Sequence, residues 1–177
     1  GVVYFIASNF RPQQGGGDSI AGFFLAKSLM KTGFDVRIIV PAYDCLGDPD
    51  FIRRTGAKKL AHLDNGIDVF QGSWDGIALF FLSGGYLGIS RRFDADVPHL
   101  PVGRAADLCS SLGFFDFSGS IVHIRDPYFA PAAGFLKEKG ISVVFEAHMH
   151  YGQCVLFDPA VVSSFGLDFC SEPFLFD

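Results

Sequence analysis

The chain has 177 residues, 49% of them hydrophobic and 19% charged, a balance that excludes intrinsic disorder and suffices for one core-forming domain of the usual roughly 100–200 residues. A net charge of −5 provides no basic field for a nucleic-acid backbone. The longest clean apolar run, Ile77–Leu82, falls far short of the roughly 18 residues of a membrane span, so no membrane partner is expected.

Val2–Ala7 is a continuous β-branched and aromatic run, the pattern of a strand buried on both faces of a parallel sheet. Arg11-Pro12 and Gly15-Gly16-Gly17 follow, and then Ile20, Phe23, Phe24, Ala26, Leu29 and Met30 recur at helical spacing, so a helix is predicted from about Asp18, closed by Gly33. Asp35–Val40 reads as a second buried strand stopped by Pro41, completing a strand–helix–strand unit. Between Phe51 and Leu82 the turn clusters Asp64-Asn65-Gly66 and Gly72–Gly76 predict an antiparallel excursion of short strands. Gly84–Pro101 reads as a long surface loop in which Arg91 and Arg92 are solvated. Alternation returns with a helix over Gly103–Leu112, a strand over Ser120–Ile124, a helix over Ala130–Lys139 with Pro131 in its first turn, and a strand over Ser142–Ala147. Four parallel strands with helices between them predict an α/β, doubly wound, mostly parallel sheet carrying a β-ribbon insertion. Ligands bind such sheets at the carboxyl ends of the strands, here the loops opening at Ser8, Pro41, Arg125 and His148. The tail Phe169–Phe176 reads as a segment that packs on something else.

Cys45, Cys109, Cys154 and Cys170 lie far apart without a C-x-x-C pair, so reduced thiols and a cytoplasmic setting are expected. A strand beginning at Val2 leaves no room for a signal peptide, which suggests a trimmed or processed start. The glycines at 15–17 before a helix can form an anion site or simply a tight turn. Their spacing is neither G-x-G-x-x-G nor a P-loop. His123 at a strand end, followed by Arg125-Asp126-Pro127-Tyr128, reads either as a satisfied core histidine beside a local Arg125–Asp126 pair or as part of a site. His148 and His150 share one face of an extended chain but lack a third ligand, so no metal is expected. Without G-x-S-x-G, a hydrolase is not supported.

Several segments together resemble the N-terminal domain of starch synthases and bacterial glycogen synthases, the fifth glycosyltransferase family, whose fold is GT-B with two Rossmann-like domains. Val3–Ser8, the Gly15–Gly17 loop and Lys27–Tyr43 resemble that family's first strand, K-T-G-G-L loop, helix and V-R-V-V-x-P-x-Y strand. The segment Gly66–Leu82 resembles its inserted ribbon. Ser120–Ala130 is similar to V-H-A-H-D-W-H-T-A, and Val144–Gln153 to T-I-H-N-L-A-Y-Q-G. The resemblance spans nearly all 177 residues.

The resemblance implies a Rossmann-like N-terminal, acceptor-side domain over 1–177, completed in the full-length protein by a C-terminal donor-binding domain that lies outside this chain. It implies retaining transfer of glucose from ADP-glucose or UDP-glucose to an α-1,4-glucan, with no further cofactor, in the cytoplasm or a plastid. Asp126, Tyr128 and His123 then stand at the reaction centre, and Gln14, Gly15, Gly16, Gly17, Asp18 and His148 face the sugar nucleotide. The chain departs from the pattern where the family's loop lysine becomes Gln14, an acidic residue becomes Asn9, two histidines become Arg125 and Tyr128, and an asparagine becomes Met149. Loss of a cation facing a diphosphate removes a charge-assisted contact of roughly 1.5–3 kcal/mol. A non-catalytic glucan- or protein-binding module, or a transferase with another donor, is therefore the alternative expectation, and the isolated domain is expected to be inactive.

Overall fold

A computed structural model describes residues 1–13, 17–90, 100–126 and 129–146. Strands β1 (Val2–Ile6), β2 (Asp35–Pro41), β3 (Lys58–His62), β4 (Asp68–Trp74), β5 (Ile77–Ser83), β6 (Ile121–Ile124) and β7 (Ser142–Phe145) form one sheet in the order β3-β4-β5-β2-β1-β6-β7. Helices α1 (Gly17–Lys31), α2 (Pro49–Thr55), α3 (Leu100–Ser111) and α4 (Ala130–Glu138) alternate with them. The architecture is the expected α/β one, a mostly parallel sheet between two helical layers with an antiparallel ribbon at one side.

β1 is the organising strand, pairing in parallel with β2 on one side and β6 on the other. Its apolar run is continuous because both faces are covered. Phe5 and Ile6 point to opposite layers and are both fully buried. Tyr4, Ile6, Ile39, Val122 and Ile124 pack with Ala105 and Leu108 of α3 and Ala132 and Leu136 of α4. Val3, Phe5, Val36, Ile38 and Val40 pack with Ala26 of α1 and Phe51 of α2. Among the described residues, no helix is long and apolar enough to cross a membrane.

Five strands, not four, run parallel. β5 pairs with β4 in antiparallel fashion, from Asp68↔Ser83 to Trp74↔Ile77, and also joins β2 in parallel, from Arg37↔Ala78 to Pro41↔Leu82. Its run Ile77-Ala78-Leu79-Phe80-Phe81-Leu82 therefore serves the central sheet as well as the ribbon. The ribbon turn lies at Asp75-Gly76, whose φ values of 51° and 82° fit a two-residue I′ hairpin. Lys27 of α1 clasps this turn, its Nζ 2.8 Å from Asp75 Oδ2 and 2.9 Å from the Asp75 carbonyl oxygen. Gly72, expected in a turn, lies inside β4 instead. An added Cβ there would come within 2.8 Å of the Thr55 carbonyl oxygen, so this glycine allows the end of α2 to lie on the ribbon.

Three further boundaries differ from the sequence reading. α2 was not expected; Asp48 caps it by accepting from the Asp50 N–H, Pro49 opens it, and Gly56 closes it in the left-handed region. α3 begins at Leu100, not Gly103, because Leu100 and Val102 are already buried. Within the predicted loop, Gly85–Gly88 forms a short 3-10 turn, while Arg91 and Arg92 lie outside the described residues. Cys45 and Cys109 are free thiols, and burial pushes Cys109 up to about 12, which leaves it inert at neutral pH. Cys154, Cys170 and the Phe169–Phe176 tail fall outside the described residues.

Candidate functional site

The carboxyl ends of β1, β2, β5, β6 and β7 share one edge of the sheet, where side chains bind the emerging loops together. Gln13, after β1, donates through Nε2 to the Pro41 carbonyl at 2.7 Å and to Cys45 Sγ at 3.4 Å. Tyr43, after β2, donates its hydroxyl to the Ser8 carbonyl, and its backbone N–H donates to Leu87 O at 2.9 Å. Tyr43 has a φ of 49°, an uncommon conformation for a bulky residue, and these two bonds hold it there. Arg104 of α3 lays its guanidinium 4.8 Å from the Tyr43 ring centre and donates to the carbonyls of Tyr86 and Ile89. Asp107, one turn on, accepts from the Tyr86 N–H at 2.7 Å. One buried arginine thus ties the loop after β2 to the loop after β5.

Burial raises the Asp107 carboxyl above its ordinary range, with the Tyr86 N–H opposing that shift. Folding therefore favours its protonated form, so this group costs stability as pH rises from the unfolded carboxylate value of about 3.9 through its higher folded value. Asp107→Asn, which keeps an acceptor for Tyr86, is expected to gain stability relative to the natural chain between pH 4 and 7. Urea midpoints across that range measure the difference, which should grow with pH.

The second half of the edge belongs to β6 and β7. Parallel register sets Phe5 beside His123 and His123 beside Val144, all on the face that carries α1. The His123 ring lies 5.0 Å from that of Phe5 and is largely covered. Its Nε2 is 3.0 Å from Glu146 Oε2, but without hydrogen-bond alignment, so the contact is electrostatic when the ring is protonated. Arg125 donates from Nε to the same carboxylate oxygen at 2.9 Å, and its side chain is only 4% exposed. Arg125 thus pairs across the strand ends with Glu146, a partner that the sequence reading did not name. Arg125 can lie there because position 22 of α1 is glycine: an added Cβ would sit 1.9 Å from Nη1.

Of the residues singled out from the sequence, His123 is in this cluster and Asp126 is half-buried just beyond β6, its carbonyl accepting from the Phe129 N–H at 3.0 Å. Gly17 is the first residue of α1 and Asp18 the second, so the last glycine of the run opens a helix. An added Cβ at Gly17 would meet nothing within 4 Å. Gln14, Gly15, Gly16, Tyr128, His148 and His150 lie outside the described residues. No cluster of potential metal ligands occurs among the described residues. Glu146, Gly22, Tyr43 and Arg104 escaped the sequence reading. Tyr43 figured there only as the last residue of the segment resembling V-R-V-V-x-P-x-Y, and Glu146 only inside the predicted strand Ser142–Ala147.

No family model matches the chain, and no curated protein matches it. Solved structures do. The catalytic domain of starch synthase IV from Arabidopsis thaliana, bound to ADP and acarbose, superposes with a TM-score of 0.59 at 21% identity, over 82% of this chain and 33% of that one. A trehalose-6-phosphate structure from E. coli, bound with UDP-2-fluoro glucose, gives a TM-score of 0.50 at 11% identity, over 93% of this chain and 35% of that one. The chain therefore has the Rossmann-like fold found in GT-B glycosyltransferases. It spans about a third of the length of these structures.

The Gly22 contact gives a substitution whose sign is diagnostic. In an open helix position alanine is favoured over glycine by about 1 kcal/mol, and Gly134 of α4 is exposed with nothing within 4 Å of an added Cβ. Gly134→Ala should stabilise the chain. Gly22→Ala must displace the Arg125 guanidinium from Glu146 and should destabilise by about 1–3 kcal/mol, as overpacking does. Glu146→Gln, which weakens a charge-assisted contact of this buried arginine, should also destabilise by about 1–3 kcal/mol. Chemical denaturation of the three variants checks these directions.

Proposed function

We propose that this chain is the N-terminal, acceptor-side domain of a starch- or glycogen-synthase-like glucosyltransferase, active only when joined to a C-terminal donor-binding domain. The observation that carries this reading is the superposition of 82% of the chain on the catalytic domain of starch synthase IV, together with the quoted segments that resemble the family. In the proposed reaction, the bond from the glucose anomeric carbon to the nucleoside diphosphate breaks, a bond to the 4-hydroxyl of an α-1,4-glucan forms with retention, and the hydroxyl proton passes to the leaving phosphate. Gln14, Gly15, Gly16, Gly17 and Asp18, entering α1, would meet the diphosphate with backbone N–H groups and the positive helix end. His148 would face the donor sugar from the loop after β7. Asp126, Tyr128 and His123 would line the reaction centre. The substrates are a nucleotide sugar, with ADP- or UDP-glucose as donor, and a glucan acceptor; no further cofactor is invoked, and the setting is the cytoplasm or a plastid.

A second reading is supported by the chemistry of the departures. A neutral amide at Gln14 cannot neutralise a diphosphate, Tyr128 puts there a phenol, a group that ordinarily titrates at about 10 and carries protons poorly at neutral pH, and the Arg125 guanidinium already pairs with Glu146. These features fit a glucan- or protein-binding module that retains the fold with weakened transfer.

Radiolabelled ADP- and UDP-glucose with maltooligosaccharide separate the two. The 177-residue chain is expected to transfer no label, and the longest natural chain containing it only weakly. Gln14→Lys combined with Tyr128→His in that longest chain should raise transfer while glucan binding scarcely changes. Label entering longer glucan in proportion to the 177-residue chain alone overturns the need for a donor domain. Glucan binding with no transfer before or after the double substitution establishes the binding-module reading.

A further inference from the structure

The connection between β3 and β4 runs from Leu63 to Ile67 and meets the last turn of α3. Two backbone bonds close it, from the Leu63 N–H to the Ile67 carbonyl at 2.8 Å and from the Gly66 N–H to the Leu63 carbonyl at 2.9 Å. Ile67 is buried in the same core as Leu108 and Leu112. The outer half of the turn is held through Asn65, whose Oδ1 accepts from the Ile67 N–H at 3.1 Å. Its Nδ2 donates to Ser110 Oγ at 2.8 Å and to Ser111 Oγ at 3.1 Å. Both hydroxyls commit their own protons to the Asp107 carbonyl, at 3.0 and 2.7 Å, so towards Asn65 they can only accept. This polar clasp between ribbon and helix therefore requires a donor at position 65.

The next residue is Gly66, which has no side chain to hinder an approach of its backbone nitrogen to the Asn65 amide. Of the chain's two asparagines, Asn9 and Asn65, the second alone precedes glycine, and both Asn65 and Gly66 are exposed to water. In the reaction open to this pair, the Gly66 nitrogen bonds to Asn65 Cγ, the Cγ–Nδ2 bond breaks, and ammonia leaves carrying the former Gly66 proton. Water then opens the resulting succinimide to aspartate or isoaspartate. In the folded chain every group that must move is held: the Gly66 N–H by Leu63, Oδ1 by Ile67, and Nδ2 by two hydroxyls. Cyclisation therefore requires a local opening of the clasp.

We infer that Asn65-Gly66 is a deamidation site gated by the clasp between the ribbon and α3, and that its product cannot re-form the clasp. Either product carries a carboxylate in place of the amide. Ionised, it has no proton to offer Ser110 and Ser111. It also faces the last two residues of α3, the negative end of that helix, where an anion is disfavoured. An opening that lasts long enough for cyclisation is thus recorded covalently and leaves the ribbon detached from α3 at this point. The inference does not depend on the proposed glucosyl transfer.

Peptide mapping that separates aspartate from isoaspartate reads position 65 after incubation of the 177-residue chain at mildly alkaline pH. The folded chain is expected to deamidate there several-fold more slowly than the same chain unfolded in urea. Ser110→Ala with Ser111→Ala should raise the folded rate several-fold, and Ser110→Ala alone, at an exposed position, serves if the buried Ser111 does not tolerate replacement. Gly22→Ala, which strains the β6–β7 end of the sheet, should leave the rate at Asn65 unchanged. The product is tested with Asn65→Asp, which should lower the urea midpoint more in the natural chain than in the chain lacking the serine hydroxyls. Absence of deamidation at Asn65 in urea overturns the site. Equal rates in the folded and unfolded chain overturn the gating, as does a folded rate that the serine substitutions leave unchanged or that Gly22→Ala accelerates. An equal loss of midpoint in both backgrounds overturns the role given to the product.

Discussion

A parallel sheet has to bury both of its faces, and most of this molecule follows from that constraint acting on β1. With β2 on one side and β6 on the other, β1 shows neither of its edges to solvent, and its consecutive residues feed two separate cores. The chain can satisfy this only by sending helices to opposite faces, α1 and α2 to one and α3 and α4 to the other. Crossovers of that kind return each strand in the same direction, which gathers the loops at the carboxyl edge. The candidate site is thus a consequence of how the apolar runs are buried.

At that edge, backbone groups leaving the ladders need partners, and polar side chains buried among them need them equally. Tyr43, Gln13 and Arg104 answer both needs at β1, β2 and β5, binding carbonyls that no strand reaches. At β6 and β7 the same problem is solved with charge. The Glu146 carboxylate joins Arg125 to its own strand end and approaches His123, while Gly22 concedes the volume that the guanidinium fills. Rigid loops on this edge are a precondition for any site that must hold a ligand within a fraction of an ångström.

The elements that were legible in the sequence are those whose signal is local. Val2–Ala7, Asp35–Val40 and the helix through Ala26 and Met30 declare themselves by composition and period, and Gly33, with φ of 91°, ends α1 as its position suggests. Pro131 announces α4. α2 is only seven residues, too short for a period to emerge. β5 shows its apolar run plainly, yet nothing nearby tells that it will sit between β4 and β2. The site divides in the same way. His123 and Asp126 stand at a strand end and beside a recognisable segment, whereas Glu146 acquires its role only through the β6–β7 register. Gly22 acquires its role only through the approach of α1 to Arg125, and the left-handed Tyr43 through α3, more than fifty residues away.

Arg125 illustrates how a replacement changes what an edge can do. The resembled family carries a histidine at this position; here a permanently charged, planar fork occupies it, buried under α1 and held by a carboxylate at 2.9 Å. A phosphate approaching this arginine would compete with Glu146, and drawing the guanidinium away would take a charge-assisted contact from that half-buried carboxylate. The positive end of α1 contributes only about 0.3–1 kcal/mol per charge, below the roughly 1.5–3 kcal/mol of a charge-assisted bond. The Arg125 guanidinium thus serves the fold of this edge, joining the ends of β6 and β7 through Glu146.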